Sequence, residues 1–553
     1  MNAYSGPRVA TVSSVPSHLV HGYATETFTS EEQDILRRYF TNLDRPVFAL
    51  VNLPEVVKGA LFARYSRTHK SLRRLFLDEF VLDLDVAGDS TIDATVGLER
   101  ADELYQKVFF EFGDDSVAQL GGVHLACEQA SNMLTKVLEW GRIMSYLEQS
   151  TRYLAYDARI DGRFRYYRDP DLLASSMGTR YVGDMDRMFE SYASALPTLQ
   201  EYFKATRPKT DDESDFVHRQ TLRAMSFDAV RGMLPAASIS NVGIYGTGQA
   251  YEALLLRMRS HPLPEARAYA DMMLEELRKV IPSFLRRVDL ADRGGLWSEY
   301  LAENRSAMES IAGELVDPGG HDMVEGSPGV DLVDWDPEGE TKAIAAMLYP
   351  YTHLPDREVL AQVERMCVED RMRVVKAYCG ERRNRRHKPG RALERTFYRF
   401  DILSDYGAFR DLQRHRMLTV EWQDLSPVHG FVRPSAVDAA GADELFDRVM
   451  DRSAALYEDL AVDHGRQAPY AVSMAFRVRY VMQLNLRAAM HMLELRSAPQ
   501  GHPAYRKIAQ EMYRQIGDVA GHKALASLFI YMDMSDGERG RAEAETRLET
   551  RKA

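Results

Sequence analysis

Residues 140–153 read WGRIMSYLEQSTRY, and residues 414–427 read RHRMLTVEWQDLSP. With Arg142 set against Arg416, the two stretches stand 274 positions apart (416 − 142), close to half of the 553-residue chain. Each is preceded by a related segment, ALFARYSRTH at 60–69 and AAMLYPYTH at 345–353. Each is followed by a Pro-ended aromatic one, FRYYRDP at 164–170 and FVRP at 431–434. The common order argues for one unit duplicated in tandem rather than a many-repeat array.

At 553 residues the chain exceeds one ordinary core, so two or more domains are expected. Between the two units, 316–340 is rich in Gly, Pro and Asp without apolar periodicity, and reads as a linker. The expected division is a flexible arm at 1–25, a first domain at 26–315, the linker at 316–340 and a second domain at 341–553. The balance of 45% hydrophobic and 27% charged residues is that of a globular protein without a bilayer-length apolar run. The N-terminus lacks a charged-then-apolar signal pattern, and with three scattered cysteines (Cys127, Cys367, Cys379) a reducing cytoplasm is the expected setting. A net charge of −12 argues against a nucleic-acid partner, and no membrane partner is expected.

The pattern is helix-rich with some strands. Val123, Ala126, Ala130, Met133 and Val137 fall at helical spacing and predict a helix through 123–150, interrupted at Gly141. Residues 153–167 predict a strand or hairpin turning at Asp161-Gly162. The stretches 264–288 and 503–532 predict amphipathic helices that pack halves or subunits together. The glycines of GIYGTGQAY (243–251) lack a dinucleotide fingerprint and the strand–helix setting it needs. RRNRRHKPGR (382–391) reads as a solvated or subunit-bridging basic loop, or as a holder for a flavin diphosphate or a polyglutamate tail.

A nucleotide phosphate needs convergent arginine forks, hydroxyls and backbone N–H groups. The first copy supplies those types as Arg142, Ser145, Glu148, Ser150, Arg152 and Tyr153, with Gln149 and Thr151 between them. The spacing R-x-x-S-x-x-E-x-S-x-R-Y resembles the back of the flavin-dependent thymidylate synthase signature, RHRxxSxNExSxRY. Arg414, His415 and Arg416 reproduce its front. Leu147 stands for the family's Asn and Trp140-Gly141 for its Arg-His; in the second copy Trp422, Asp424 and Ser426 replace Glu, Ser and Arg. FEFGDDSVAQL (110–120) resembles the family's Gly-His-Glu-Ser element through Gly113, Asp115 and Ser116, with Asp114 and Leu120 in place of histidines. FDAVRGMLP (227–235) resembles its Arg-x-x-Leu-Pro element through Arg231, and GRQAPY (465–470) a looser version through Arg466. LLLRMRSHP (254–262) resembles its Arg-x-x-Ser-His element through Arg257, Ser260 and His261. LNLRAAMHMLELRSAPQGH (484–502) resembles the Asn-x-Arg and Leu-Arg blocks through Asn485, Arg487 and Arg496, with His491 at the family's flavin-side Asn.

The resemblance implies an α+β, helix-rich fold of two tandem thymidylate synthase-like copies forming a pseudo-dimer, and two chains acting as a homodimeric pseudo-tetramer. It implies dUMP as substrate, FAD as cofactor, and NADPH and methylenetetrahydrofolate as co-substrates. Phosphate and sugar would fall to Ser145, Glu148, Gln149, Ser150, Thr151, Arg152, Arg231 and Arg466. Flavin would fall to Arg142, His261, Gln413, Arg414, His415, Arg416, Asn485, Arg487 and His491. Arg257 and Arg496 would stabilise charge on the uracil. No cysteine nucleophile is needed, because the cofactors carry the hard chemistry. The motif halves complement each other, which predicts fewer, hybrid sites. The alternatives are a flavoenzyme acting on another pyrimidine nucleotide, or a non-catalytic nucleotide- or flavin-binding protein.

Overall fold

A computed structural model of the chain describes residues 23, 26–53, 57–58, 61–62, 65, 68–79, 121–211, 213–316 and 329–535. The expected arm apart from Tyr23, the 110–120 segment, most of 60–67 and residues 317–328 of the expected linker lie outside them.

Two four-stranded antiparallel sheets carry the fold. The first is built from β1 (Val47–Leu50), β2 (Gly122–Ser131), β3 (Ser145–Glu148) and β4 (Ile239–Thr247) in the order β1-β2-β4-β3. Its helices are α1 (Asn132–Leu138), α2 (Gly178–Thr206), α3 (Asp215–Val230), α4 (Gly248–Arg259), α5 (Pro264–Arg278) and α6 (Leu296–Leu315). The second sheet is β5 (Val330–Trp335), β6 (Phe397–Asp405), β7 (Thr419–Trp422) and β8 (Arg477–Asn485), in the matching order β5-β6-β8-β7. It carries α7 (Tyr406–Gln413), α8 (Asp443–Asp463), α9 (Leu486–Arg496) and α10 (Pro503–Asp518). Equal strand order, with α1 and α7 after the second strand and α4–α5 and α9–α10 after the last, makes the chain an α+β tandem duplication.

The helix expected through 123–150 is replaced by β2, α1 and β3. β2 is an inner strand, paired with β1 on one side and β4 on the other, and is buried along most of its length. A strand covered on both faces is apolar at nearly every position, so helical spacing can be picked out of it by chance. A bulge between Cys127 and Ala130, with Gln129 at φ 58°, shifts the register of the ladder, which resumes at Ala130 and Ser131, and Ser131 then caps α1 by accepting from Leu134 N at 3.0 Å. The expected linker is also shorter than 316–340, because Val330–Trp335 pairs with β6. In 153–167 only a turn forms, Asp161 and Gly162 both at positive φ between bridged Ile160 and Arg163. GIYGTGQAY does span a strand–helix junction, β4 into α4 with Thr247 as cap, contrary to expectation. Its glycines admit neighbours: a Cβ on Gly243 would stand 2.7 Å from the Phe62 ring.

The two units meet around a pseudo-twofold axis. Tyr406 donates its hydroxyl to Asn132 O at 3.1 Å, and these are equivalents under the 274-residue spacing. Pro235 bridges to Ser473, and there the spacing has fallen to 238 (473 − 235) through shorter connections in the second unit. α2 packs on α8 across the join, reinforced by Arg452–Asp184 at 2.6 Å. One continuous apolar core runs through both units, with a smaller cluster around Phe40, Phe48 and Phe76. The two predicted amphipathic helices are α5 and α10; α5 packs on β1 and α4 within its own unit, and Tyr505 of α10 reaches the first unit's Arg152. Among the described residues no helix is long and apolar enough to cross a membrane.

Candidate functional site

The join between the units brings together arginines from both copies of the motif. α7 begins at Asp405, whose carboxylate accepts from Ala408 N at 2.8 Å. The helix points Arg410, Asp411 and Arg414 across the axis toward β3 and α1. Glu148, on the buried face of β3, receives Arg410 at 2.8 Å, Arg414, and Lys136 at 3.4 Å. Lys136 also reaches Glu139 at 2.7 Å. Burial alone would raise the Glu148 carboxyl, but Lys136, Arg410 and Arg414 hold it well below the usual range. Glu148 therefore acts as the buried counter-ion that fixes the second copy's arginines, and it is not turned outward to a sugar hydroxyl.

Next to this cluster Arg152 is held by Asp228 through two bonds of 2.7 Å and donates to Tyr505 Oη at 2.9 Å and Gln500 O at 3.2 Å. Arg231 Nη1 donates to Asp411 at 3.1 Å. Arg496 shares the Tyr505 ring with Arg152, at 5.3 and 5.8 Å from the centroid. Burial works to raise the Asp411 carboxyl, and Arg231, Arg414, Arg496 and Arg152 together drive it far down. Arg496 has no carboxylate within ion-pair distance among the described residues, and burial lowers its guanidinium from the ordinary arginine value. Its Nε donates to His415 Nε2 at 2.9 Å, which assigns the His415 proton to Nδ1. Burial and then Arg496 hold that imidazole neutral.

The whole cluster sets six cations (Lys136, Arg152, Arg231, Arg410, Arg414, Arg496) against five carboxylates (Glu139, Glu148, Asp228, Asp405, Asp411). One positive charge is left over. Arg231 Nη2 and Arg414 Nε are buried without a hydrogen-bond acceptor. Unspent guanidinium donors and surplus positive charge in a confined space suit an anion.

Beside it lies a cavity of about 270 Å³ lined by Trp140, Arg142, Arg257, Gln413, His415 and Arg416, so both motif copies face one space. Arg142 donates to Thr419 Oγ1 at 3.1 Å, and Arg416 lies 5.9 Å over the Tyr146 ring. Gln413 Nε2 is spent on Lys136 O at 3.1 Å. His491 meets His415 edge to face, and its buried Nδ1 has no partner. Burial, then Lys388 and Arg385 of the basic loop, lower the His491 imidazole.

Other expected residues take structural places. Gln149 is buried and bridges Thr68 O and Arg165, and Arg165 lines a separate cleft of about 710 Å³ in the first unit. Ser150 accepts from Arg152 N at 3.2 Å, Thr151 is buried and Ser145 is exposed. Asn485 caps α9 through Ala488 N, and Arg487 holds Pro389 O and Glu394 at the root of the basic loop. Arg466 does not join the arginine cluster; it pairs with Glu309 of α6 at 2.5 Å, in a cleft shared with His261. Under the 238-residue spacing the counterpart of Arg231 is Pro469, which is why Arg466 points elsewhere. His261 accepts from Leu263 N, and burial, with Arg305 and Arg257, lowers it to about 4.

Asp228, Asp411, Arg410, Lys136 and Tyr505 were missed in the sequence. Asp228 and Asp411 each sit three residues before a motif arginine, a spacing that puts them on that arginine's helical face. That was the available signal.

Comparison with known proteins agrees with this duplication. The family model described as Thymidylate synthase complementing protein matches residues 65–283 and again 331–521. A UPF0159 protein of Chlamydia pneumoniae is 38% identical over 528 residues, covering 95% of this chain and 98% of the relative. A UPF0159 protein of Chlamydia muridarum is 37% identical over 94% of this chain and 98% of its own. One from Thermoplasma acidophilum is 30% identical over 89% of this chain and 98% of its own.

Proposed function

Because the chain belongs to the thymidylate synthase complementing protein family, the flavin-dependent thymidylate synthases, in a tandem two-copy form, we propose that it converts dUMP to dTMP by reductive methylation. Methylenetetrahydrofolate would supply the carbon and NADPH the reducing equivalents. The observation that carries this reading is the arginine cluster at the join, with surplus positive charge and unspent N–H groups on Arg231 and Arg414. A 5′-phosphate would take up those donors, with Arg152, Arg231 and Arg414 as its holders. Arg496, paired to an imidazole and to no carboxylate, is the residue left to face the uracil and to stabilise negative charge developing on it.

The neighbouring donor set fits a flavin dinucleotide. Arg142 and Arg416 have no carboxylate partner among the described residues, His491 Nδ1 is buried and unpartnered, and the basic loop stands close by. Arg142, Arg416, His415 and His491 would hold it, and when bound the flavin supplies hydride transfer. The neutral His415 imidazole, its Nε2 taken by Arg496, can donate a hydrogen bond there from Nδ1 without adding charge.

Ile143, Tyr153 and Met417 are exposed beside the site, and a second chain covering them would give a homodimer with pseudo-tetrameric symmetry. Anaerobic incubation with FAD, NADPH, methylenetetrahydrofolate and dUMP, assayed for dTMP by mass spectrometry, tests the reaction. Thymidylate is the expected product. Bound flavin without dTMP would turn the reading toward another pyrimidine acceptor.

A further inference from the structure

The 274-residue spacing gives each residue of the second motif copy a counterpart in the first, and the pseudo-twofold axis gives the arginine cluster a counterpart place on its other side. Glu148 corresponds to Trp422, Arg414 to Trp140, His415 to Gly141, Asp411 to Val137 and Arg152 to Ser426. Under the later 238-residue spacing, Arg231 corresponds to Pro469. The contacts obey the same exchange. Where Arg414 pairs with Glu148, Trp140 meets Trp422 edge to face with centroids 6.3 Å apart.

Of the cluster's cations, Lys136 and Arg410 exchange with each other and are spent on Glu148; Arg466, the counterpart of Asp228, is spent on Glu309. Arg257 lies 4.7 Å over the Trp140 ring and donates to Val137 O at 3.3 Å, taking the position beside Val137 that Arg496 takes beside Asp411. Phe409 closes the plug, 5.5 Å from Trp422. A phosphate dianion leaving water needs several charge-assisted donors. A guanidinium stacked on an indole, with the other exchanged cations already paired to Glu148 and Glu309, does not supply them.

We infer that each chain binds one pyrimidine nucleotide, and that its pseudo-symmetric counterpart is closed by the Trp140–Trp422 pair. The inference rests on the nucleotide reading proposed above. It assigns the chemistry at the uracil to Arg496 and a packing role to Arg257. Two chains would then carry two sites where four equal copies would carry four.

Titration of the full-length chain with dUMP, by calorimetry and by equilibrium dialysis of labelled nucleotide, tests it. One dUMP per chain is expected. Two per chain would overturn the inference and leave the nucleotide reading standing, whereas none would overturn both. Arg496→Ala is expected to weaken dUMP at least tenfold. Trp422→Leu, an apolar exchange that keeps the fold, is expected to retain one site with affinity within twofold. A second site gained in Trp422→Leu would show that the indole pair alone closes the counterpart, whereas a thermally intact Trp422→Leu protein that lost its single site would place Trp422 in the binding site and overturn the closure.

Discussion

Glu265 illustrates how single residues fix the join. It enters α5 one residue after Pro264 and receives Ser131 N at 2.8 Å, Ser131 Oγ at 2.5 Å and, from the second unit, Tyr470 Oη at 2.7 Å. Burial pushes its carboxyl up to about 7, more than the hydrogen bonds from Ser131 and Tyr470 pull it down. The folded chain thus keeps a proton that the unfolded chain, with an ordinary value of 4.5, has released. That stabilisation is full below about pH 4.5 and is lost as pH rises through about 7. Urea denaturation between pH 5 and 8 should show stability falling by a few kcal/mol, since each tenfold change in proton affinity between the folded and unfolded chain is worth about 1.4 kcal/mol. Glu265→Gln, neutral throughout, should flatten that fall. An unchanged slope in the variant would mean that Glu265 is ionised in the folded protein.

At the scale of elements, the caps that end the central strands decide where the site residues point. Ser131 and Asp405 are equivalents under the 274-residue spacing, and each closes an inner strand and opens a short helix. Without the Asp405 cap, the first turn of α7 loses a partner for Ala408 N, and Arg410, Asp411 and Arg414 lose their aim. Asp405→Ala should cost about 1 kcal/mol, and Asp405→Ser, which copies the other unit's cap, should recover most of it; chemical denaturation reads both. The helices α5 and α10 were visible in the sequence because their apolar residues recur at helical spacing on one face. β2 and α1 were not, since Val123, Leu125, Cys127, Ala130, Leu134 and Leu138 are all buried in a two-sided core, where neither period stands out. The strand Val330–Trp335 was hidden by its glycine- and aspartate-rich surroundings, although Val330 and Leu332 alternate inward.

At the scale of the whole molecule, the duplication and the complementarity of the motif halves could be read from the sequence, because Arg414-His415-Arg416 and Ser150-x-Arg152 survive in opposite copies. The partners could not. Arg231 finds Asp411 across 180 positions and Arg410 finds Glu148 across 262, and pairings of that kind are set by the axis between the units rather than by spacing within either. The same contacts bind the units into one folding entity. Glu148 is buried, with two of its three counter-ions, Arg410 and Arg414, in the other unit, and separation would leave it with Lys136 alone, at 3.4 Å. The continuous core and the bridge from Pro235 to Ser473 add to that penalty. A protease site inserted after the exposed Val316 should therefore cut the chain without parting it. The two fragments are expected to co-elute on size exclusion and to unfold in one transition, at a denaturant midpoint close to that of the uncut chain. Fragments that separate and melt at two midpoints would mean that each unit folds by itself, and that the ion cluster forms only after docking.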